Sequence, residues 1–307
     1  MTIEEGLSVP IGVVVVAFHR PGQLATALGA LRDPLIDVVV VNVEADRDVA
    51  AVTAAAGVRA IEVGANVGYA AAVNLGVAAV RADTTLFMND DVVVSASAVH
   101  ALVTALTSSG SDVTVPAVVD PDGTIERTIT APPTLTRLLL EWCCLPDAPV
   151  PVLRRLLRVE KWRLPNGPEP IPAAAAVAVC TRTVTLLQHP LPEVYWMYWE
   201  DAEWFSVLRS AGLRVTYHPD VRVTHAGGRA DVRPEKSALL ARNAVLCVRR
   251  TQGMGRAATA WMIVVLWQLR LFTVDGLRAL LGGGTPNRLT ARRAGLRSAL
   301  AAWKQIA

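Results

Sequence analysis

Cysteine is scarce in this sequence, and its spacing does not match metal-binding or disulfide patterns. The four cysteines are Cys143, Cys144, Cys180 and Cys247, and they form no C-x-x-C pair and no Cys/His cluster. This spacing indicates neither a disulfide framework nor a structural zinc site. It is typical of a protein in a reducing cytoplasm.

A strong charge of one sign is also lacking. The formal net charge is only +3 over 307 residues, which is too balanced to indicate a nucleic-acid partner by itself. Hydrophobic residues make up 52% of the chain, enough for a full-sized core. The first ten residues are acidic and contain a proline, so we expect no signal peptide.

One apolar segment, "AATAWMIVVLWQLRLFTV" at 257–274, has about the length of a membrane-spanning helix. Gln268 and Arg270 interrupt it, and an arginine near the middle of a span costs about 2.5–3.5 kcal/mol. Two interpretations stay open. The segment 257–281 is either a helix that lies on a membrane surface or a core helix that packs on the main domain.

The first 120 residues alternate between two hydrophobic patterns. Apolar, β-branched runs predict strands at 11–18, 36–43, 58–64 and 84–90, and helical patterns follow them at 20–31, 48–57, 69–82 and 95–108. Continuous apolar strands that alternate with helices predict βαβ units and an open, doubly wound, mostly parallel sheet of Rossmann-like type. Ligands on such α/β sheets bind outside the carboxyl ends of the strands.

The rest of the chain is less regular. Residues 120–172 are rich in proline and predict loops, strands are expected near 173–181 and 214–228, and the chain looks helical from about residue 230, apart from a break at 282–287. We therefore predict one domain over 1–230 and a helical C-terminal extension over 231–307. Within the first domain, a nucleotide half covers about 10–120 and an acceptor half 121–230.

Asp90 and Asp91 follow the fourth predicted strand in "LFMNDDV". A carboxylate pair at the end of a buried strand suits Mg²⁺ or Mn²⁺, which take few protein oxygens and complete their shell with phosphate. The alternative is an ordinary turn, because Asn and Asp bond to their own backbone in turns.

A second acidic pair, Glu200 and Asp201, opens the predicted helix "EDAEWFSVLRSAG". Asp201, Trp204 and Leu208 share one face at helical spacing, which places Asp201 beside aromatic side chains and favours a raised pKa and proton abstraction. The alternative is that both acids only complement the helix dipole. Gly212 predicts the end of this helix.

Two further motifs have open interpretations. His225 ends the predicted strand in "VRVTHAGG", where it would either contact a metal or phosphate or be an ordinary loop histidine. Asn66 and Gly68 precede the third helix in "GANVGYAAAVNLG", where they would either let a ligand approach or cap the helix.

The order of these elements resembles the family 2 glycosyltransferases of GT-A fold, especially the bacterial rhamnosyltransferase-like members. The likeness runs from about Gly12 to Arg250. It rests on four stretches in order: "VVVVAFHRP", "NVGYAAAVNLG", "LFMNDDV" and "WMYWEDAEWFSVLRSAGLRVTYHPDVRVTHAGG". The last stretch is the most specific, since it combines the aromatic-Glu-Asp motif, its helix and a closing histidine.

The resemblance implies a role for each matching residue. Asp91 would hold a Mg²⁺ or Mn²⁺ ion on the donor diphosphate, with His225 as a further contact. Asp201 would deprotonate the acceptor, with Glu200 beside it. Eight residues would bind the nucleoside-diphosphate part of the donor: Ala17, Phe18, Arg20, Asn42, Asn66, Gly68, Asn74 and Asp90.

The implied activity is an inverting, metal-dependent transfer from a nucleoside-diphosphate sugar, such as dTDP-rhamnose or a UDP-sugar. The acceptor would be a glycan or a lipid-linked glycan in cell-wall or polysaccharide synthesis, reached from the cytoplasm or the inner face of the membrane. Inversion needs one base opposite the leaving group and a cation that offsets the charge of the diphosphate.

The sequence departs from the family pattern in places. The second-strand motif of the family normally has an aspartate, whereas this chain has Asn42 and Val43 in "VVNVEAD". Residues 188–196, "QHPLPEVYW", replace the usual glycine-rich segment. Two other functions therefore stay open: a non-catalytic nucleotide-sugar or glycan-binding module of the same fold, and a related nucleotidylyltransferase. A nucleotidylyltransferase would normally have a glycine-rich phosphate loop after the first strand, and the corresponding stretch "AFHRPGQ" has no such glycine cluster.

Overall fold

The structure is a computed structural model that describes residues 11–142, 164–227, 233–281 and 286–306. The described chain forms two compact units. Within the described ranges, the first unit holds 11–130, 164–196 and 207–227, and the second holds 131–142, 197–206, 233–281 and 286–306. Cys143, Cys144 and most of the proline-rich region up to residue 163 lie outside the described residues.

Nine strands form one sheet in the described part of the first unit. They are β1 Ile11–Ala17, β2 Ile36–Asn42, β3 Arg59–Glu62, β4 Thr84–Asn89, β5 Val92–Val93, β6 Val113–Val119, β7 Glu169–Pro170, β8 Ala178–Arg182 and β9 Val215–His225. Their order is β3-β2-β1-β4-β8-β6-β9-β5, and β7 pairs with β9.

The first four strands pair in parallel, as predicted for βαβ units. Strand β8 is antiparallel to both neighbours, β4 and β6, whereas β6 and β9 are again parallel. The predicted, mostly parallel doubly wound sheet is thus confirmed, with β8 antiparallel in its middle and the short strands β5 and β7 antiparallel to β9. The sequence analysis did not predict β5, β6 and β7.

Eleven helices surround and follow these strands in the described residues. They are α1 Pro21–Ala30, α2 Arg47–Ala56, α3 Tyr69–Ala79, α4 Ala96–Ser108, α5 Leu135–Trp142, α6 Thr183–Gln188, α7 Glu200–Ser210, α8 Pro234–Gln252, α9 Met254–Leu280, α10 Pro286–Ala301 and α11 Trp303–Ile306. The predicted helices of the first 120 residues and of the C-terminal region are confirmed.

The core of the first unit is built from the continuous apolar strands. All seven residues of β1 are buried, and the alternate residues from Ile11 to Ala17 pack with leucines and alanines of α1 and with Val99 and Leu102 of α4. Burial of both faces of β1 explains why its sequence is an unbroken run of apolar residues. The polar side chains that follow the strands therefore collect at the carboxyl edge of the sheet.

The second unit is helical. Leu138 of α5 packs with alanines and valines of α8 and α9, and Ala299 and Ala302 complete this cluster. These contacts explain a difference from the predicted division after residue 230. Residues 131–142 and 197–206 group with the C-terminal helices, because their apolar side chains pack there rather than on the sheet.

Candidate active site

The two carboxylates after β4 are buried and have different partners. Asp90 and Asp91 are only 4% and 5% exposed. Asp90 accepts a hydrogen bond of 2.7 Å from the backbone N–H of Phe18, which follows β1. Asp91 pairs through Oδ2 with Arg20. These contacts hold the first turn after β1 to the end of β4. They form because the carboxyl ends of these adjacent parallel strands lie side by side.

Asp91 keeps one oxygen without a hydrogen bond. Its Oδ1 atom is buried and accepts none, although the Nε2 atom of His225 lies 3.4 Å away. His225 reaches this place because Val92 of β5 pairs with it and because the N–H of Ala226 donates to the carbonyl of Asp91 at 2.8 Å. Asp91 and His225 therefore lie side by side, and binding of a metal by both stays a prediction.

Glu126 is a member of this cluster that the sequence reading missed. Its carboxylate lies 3.1 Å from Nδ1 of His225, on the side of the ring opposite Asp91. A carboxylate on the far nitrogen of a histidine fixes the orientation of the ring and raises its basicity. No motif marks Glu126, since only the turn after β6 and the pairing of β9 bring it to His225.

The electrostatics separate the two aspartates. Burial raises the pKa of Asp90 to about 6, despite the hydrogen bond from Phe18. Burial also acts to raise the pKa of Asp91, but the adjacent imidazole of His225 and its charge, together with Arg20, outweigh it and lower that pKa. The adjacent carboxylate of Asp91 in turn raises the pKa of His225. Asp91 therefore stays ionised to a lower pH than Asp90 does.

These groups fit a divalent cation of the kind predicted. A buried carboxylate oxygen without a hydrogen bond and an imidazole nitrogen beside it form a two-ligand set, which leaves the remaining positions to phosphate and water. The described residues contain no cluster of three or more His, Cys, Asp or Glu that would hold an ion without such outside ligands. Bound here, an ion would also replace the proton on His225.

The donor-side residues after β1 and β2 lie at the predicted edge. Ala17 ends β1 and is buried, whereas the side chain of Phe18 is 41% exposed. Asn42 ends β2 and is completely buried. Its amide donates to the carbonyl of Asp46 at 2.9 Å and to the carboxylate of Glu62 at 2.7 Å. Asn42 thus orders the loop around it, and contact between its side chain and a nucleoside stays a prediction.

His19 occupies the same loop in a left-handed backbone conformation, with φ of 54°. Its ring nitrogens lie 2.5 Å from Asp46 and 2.8 Å from Glu44, and the hydrogen bond to Asp46, followed by that to Glu44, raises its pKa. The ring of Phe18 meets that of His19 edge-on at 4.4 Å. The sequence reading did not foresee this exposed histidine with two acidic partners.

The "NVGYAAAVNLG" stretch has a structural role that the sequence reading did not anticipate. Gly68 begins α3 with φ of 87°, and a Cβ atom there would lie 2.2 Å from the carbonyl oxygen of Trp196. The same carbonyl accepts the N–H of Tyr69 at 3.0 Å, and the indole N–H of Trp196 donates to the carbonyl of Asn66 at 3.1 Å. We call residues 189–196 the connecting segment, and this contact fastens its end to α3.

Asn74 fastens the other part of the connecting segment. Its amide nitrogen donates to the carbonyl of Leu191 at 2.9 Å and to Glu193 at 2.8 Å, and its oxygen accepts the N–H of Leu191 at 3.1 Å. The side chain of Asn74 is thus used in holding backbone. Contact of Asn66, Gly68 and Asn74 with a donor stays a prediction.

Glu200 and Asp201 begin helix α7 and belong to the second unit. Trp204, Phe205 and Leu208 on the inward face of α7 are completely buried. The predicted helix is confirmed, and it ends before Gly212, which has φ of 79°.

A raised pKa was predicted for Asp201, whereas in the structure the pKa of its neighbour Glu200 is raised. Its carboxylate is 6% exposed and its Oε2 atom has no hydrogen-bond partner. Burial, followed by the charge of Asp201, raises its pKa. The loop before Glu200 is held in an unusual conformation: Tyr198 and Trp199 have φ of 68° and 76°. Asn243 of α8 donates to the carbonyls of both Met197 and Tyr198, at 2.9 and 3.0 Å.

Residues 12–142, which include β1 to β6 and the carboxylate pair, match the model of Glycosyl transferase family 2. The matched segment covers less than half of the 307-residue chain, so these residues are similar to that family. No curated protein matches the chain.

Solved glycosyltransferase structures share the fold. GalNAc-T7, crystallised with UDP, GalNAc and Mn²⁺, is similar with a TM-score of 0.56 and 15% identity over 80% of this chain and 48% of that chain. This chain therefore spans about half the length of that structure. Glucosyl-3-phosphoglycerate synthase of Mycobacterium tuberculosis, in complex with phosphoglyceric acid, has a TM-score of 0.54 and 16% identity over 80% of both chains.

A third structure covers more of the chain. The mannosyltransferase PcManGT of Pyrobaculum calidifontis, in complex with GDP-Man and Mn²⁺, has a TM-score of 0.52 and 11% identity over 95% of this chain and 86% of that chain. At these identities the likeness establishes the GT-A fold. Together with the family match, it supports glycosyltransferase activity for the domain.

Proposed function

We propose that this protein transfers a sugar from a nucleoside-diphosphate sugar to a glycan or lipid-linked glycan, with inversion at the anomeric carbon. The observation that carries the proposal is the buried Oδ1 atom of Asp91, which accepts no hydrogen bond and faces His225 at the carboxyl edge of the sheet. Such an edge is where α/β sheets bind ligands. An oxygen of this kind is costly to bury unless a ligand completes it.

On the donor side, each residue has a separate task. Asp91 and His225 would hold the divalent cation, and the cation would supply charge neutralisation for the departing diphosphate. Glu126 keeps the ring of His225 oriented, and Arg20 adds a positive charge beside the carboxylates. Asp90 fixes the backbone of Phe18, so the exposed aromatic ring is presented at the edge where a nucleoside would lie.

On the acceptor side, Asp201 is the proposed base and Glu200 is its neighbour. A base must be ionised before it accepts the proton of the acceptor hydroxyl. Burial and the charge of Asp201 raise the pKa of Glu200. Glu200 therefore holds the proton of the pair, and Asp201 is the acid that ionises. Asp201 is the less buried of the two.

The donor is proposed to be dTDP-rhamnose or a UDP-sugar, as in the rhamnosyltransferase-like members that the sequence resembles. The acceptor would belong to cell-wall or polysaccharide synthesis and would be reached at the cytoplasmic side of the membrane. Contact with that membrane would run through residues 257–281.

Calorimetric titration with dTDP and with UDP, each with and without Mn²⁺, tests the donor site without knowledge of the acceptor. We expect one nucleotide to bind only in the presence of the metal. Asp91→Asn should weaken this binding at least ten-fold, because it removes the charge on the proposed ligand. Asp83→Asn is the matched control, since Asp83 is exposed and precedes the opposite end of β4.

Activity assays then separate the proposal from its rivals. Slow, metal-dependent hydrolysis of the donor that disappears in Asp201→Asn, with nucleotide binding retained, supports transfer with Asp201 as base. Binding without any turnover would instead indicate a binding module. Formation of a nucleotide sugar from a nucleoside triphosphate and a sugar phosphate would indicate a nucleotidylyltransferase. Absence of binding by dTDP, UDP and GDP alike would overturn the proposal.

A further inference from the structure

Helix α9 presents a broad apolar surface to the outside. Among the described residues, Met254–Leu280 is the helix that is long and apolar enough to cross a membrane, with a mean hydropathy of 1.5 over its apolar 18-residue window. Only 22% of that window is buried. A core helix of this composition would be mostly buried, so the observed exposure argues against the core-helix interpretation of this segment.

The buried face of α9 is made of small and polar residues. Its buried positions are Ala257, Ala260, Val264, Gln268 and Asp275. The two polar ones face α10: a Cβ atom on Gly295 would lie 2.5 Å from Oε1 of Gln268, and Asp275 accepts from Arg292 at 2.9 Å. A surface helix of a water-soluble domain normally has the opposite arrangement, with its apolar side inward.

The outward face of α9 carries the large apolar side chains. Met262, Leu266, Leu269 and Leu277 are 54%, 49%, 46% and 54% exposed. Their spacing of four, three and eight residues places them along one side of the helix. Leu280 and Leu281 extend the surface and are 84% and 86% exposed. We call this set, from Met262 to Leu281, the apolar stripe.

The charges around the apolar stripe have one sign. Residues 254–307 contain eight Lys and Arg residues and a single acid, Asp275. Asp275 is buried and already pairs with Arg292 and Arg278. Exposed arginines on α9 itself include Arg256 and Arg270. With the whole chain at only +3, the positive charge is concentrated in this region.

The exposed apolar side chains and the positive charge beside them indicate which partner the apolar stripe binds. A second copy of the chain would bring a like-charged surface against the arginines, and no exposed acid lies among residues of the described part of 254–306 to compensate. An anionic bilayer offers acyl chains for leucines and negative headgroups for arginines at the same time. Arginine stems can lie along the apolar surface while their charged ends reach the headgroups.

We propose that the apolar stripe of α9 docks onto the surface of an anionic lipid bilayer, with the helix lying in the plane of the interface. Helix α9 does not span the membrane, because its other side is occupied by contacts with α8 and α10 and carries Gln268 and Asp275. Docking would hold the chain at a lipid surface where a lipid-linked acceptor is found. The surface itself does not depend on the donor site, so the two proposals can fail separately.

Vesicle flotation of the full chain tests the proposal, with phosphatidylcholine vesicles that contain or lack about one third phosphatidylglycerol. We expect binding to the anionic vesicles and little to the neutral ones. Each Arg→Gln change at Arg256 and Arg270 should weaken anionic binding about five-fold, and added salt should weaken it further. The double variant Leu266→Glu/Leu269→Glu should weaken it at least about ten-fold.

Leu187→Glu is the matched control, since Leu187 is 59% exposed on α6, away from the stripe in the chain. It should leave vesicle binding unchanged, and metal-dependent nucleotide binding by every variant reports that the protein is folded. Failure of the folded wild-type chain to bind anionic vesicles overturns the proposal. So does concentration-dependent dimerisation in analytical ultracentrifugation that Leu266→Glu/Leu269→Glu abolishes, because the stripe would then join two copies.

Discussion

The contact between Gly68 and Trp196 makes a stability prediction that can be tested against an internal control. In Gly68→Ala, the new Cβ atom would lie 2.2 Å from the carbonyl oxygen of Trp196, a backbone atom that cannot turn away. The backbone at Gly68 also has φ of 87° and ψ of 169°, a region that is essentially reserved for glycine.

Three effects add to the expected loss. Alanine in this backbone region costs about 1–3 kcal/mol. Relief of the collision displaces the connecting segment at a cost of about 1–3 kcal/mol. The 3.0 Å hydrogen bond from Tyr69 to the Trp196 carbonyl is weakened, which contributes about 1 kcal/mol. We therefore expect Gly68→Ala to lower the free energy of unfolding by about 3–7 kcal/mol.

Gly64→Ala is the control, because Gly64 lies in the same loop with φ of 76° and has no atom within 4 Å of its would-be Cβ. It should lose only the backbone contribution of about 1–2 kcal/mol. Urea unfolding followed by circular dichroism measures both losses, and limited proteolysis of the connecting segment shows where the structure opens. Equal losses in the two variants would refute the argument, since the Trp196 carbonyl would then contribute nothing.

Three further changes have expected outcomes. Asn243→Asp replaces the amide N–H donors of Asn243 by a carboxylate oxygen opposite the two carbonyls before α7. The free energy of unfolding, measured in urea, should fall by about 2–4 kcal/mol, which is more than in Asn243→Ala. A loss smaller than that of Asn243→Ala would contradict the described bonds. Glu200→Gln should change the dependence of the free energy of unfolding on pH. In the wild type, the raised pKa of Glu200 stabilises the folded state fully below about pH 4.5, and this contribution is lost as the pH rises towards about 8. The variant should therefore gain up to a few kcal/mol relative to the wild type between pH 5 and 8. A pH-independent difference between the two proteins would argue against burial as the cause. Gly227→Ala places a Cβ atom 2.0 Å from Oδ2 of Asp91 and should reduce metal-dependent nucleotide binding as Asp91→Asn does, whereas unchanged titration would show that the site tolerates the shift.

The parallel half of the sheet was predictable because its information is local. The apolar runs that form β1 to β4 and the helical spacing between them lie within 80 residues, and each strand pairs with a neighbour in the same βαβ series. Since strand ends in such a sheet share one edge, the position of Asp90 and Asp91 followed from the pattern.

The missed elements depend on distant or unusual features. Strand β6 contains Pro116, which lacks the N–H that a central strand needs, and the structure accommodates it at a register shift between Pro116 and Ala117. The position of β8 between β4 and β6 is a long-range pairing that no local pattern encodes.

The polar residues of α3 show a different limit of sequence reasoning. Asn74 was assigned to the donor because its motif matches the family, yet its amide bonds to the backbone of Leu191. A helical asparagine that binds a ligand and one that holds a loop look alike in sequence. Only the path of the connecting segment, which the sequence did not predict, separates the two roles. Glu126 was likewise missed because a long-range pairing, here that of β9 with β6, brings it to His225.

The place of β8 in the sheet also constrains how the chain can be synthesised. Strand β4 is synthesised long before its partner β8, since Thr84 pairs with Arg182. Strand β6 gains its parallel neighbour β9 only when residues up to Thr224 have emerged from the ribosome. The 12–142 segment that matches the family model therefore contains two largely buried strands whose edges are closed by later residues. Truncated at residue 142, the nascent domain would expose those edges and tend to aggregate, so the minimal unit that can be expressed must continue through β9.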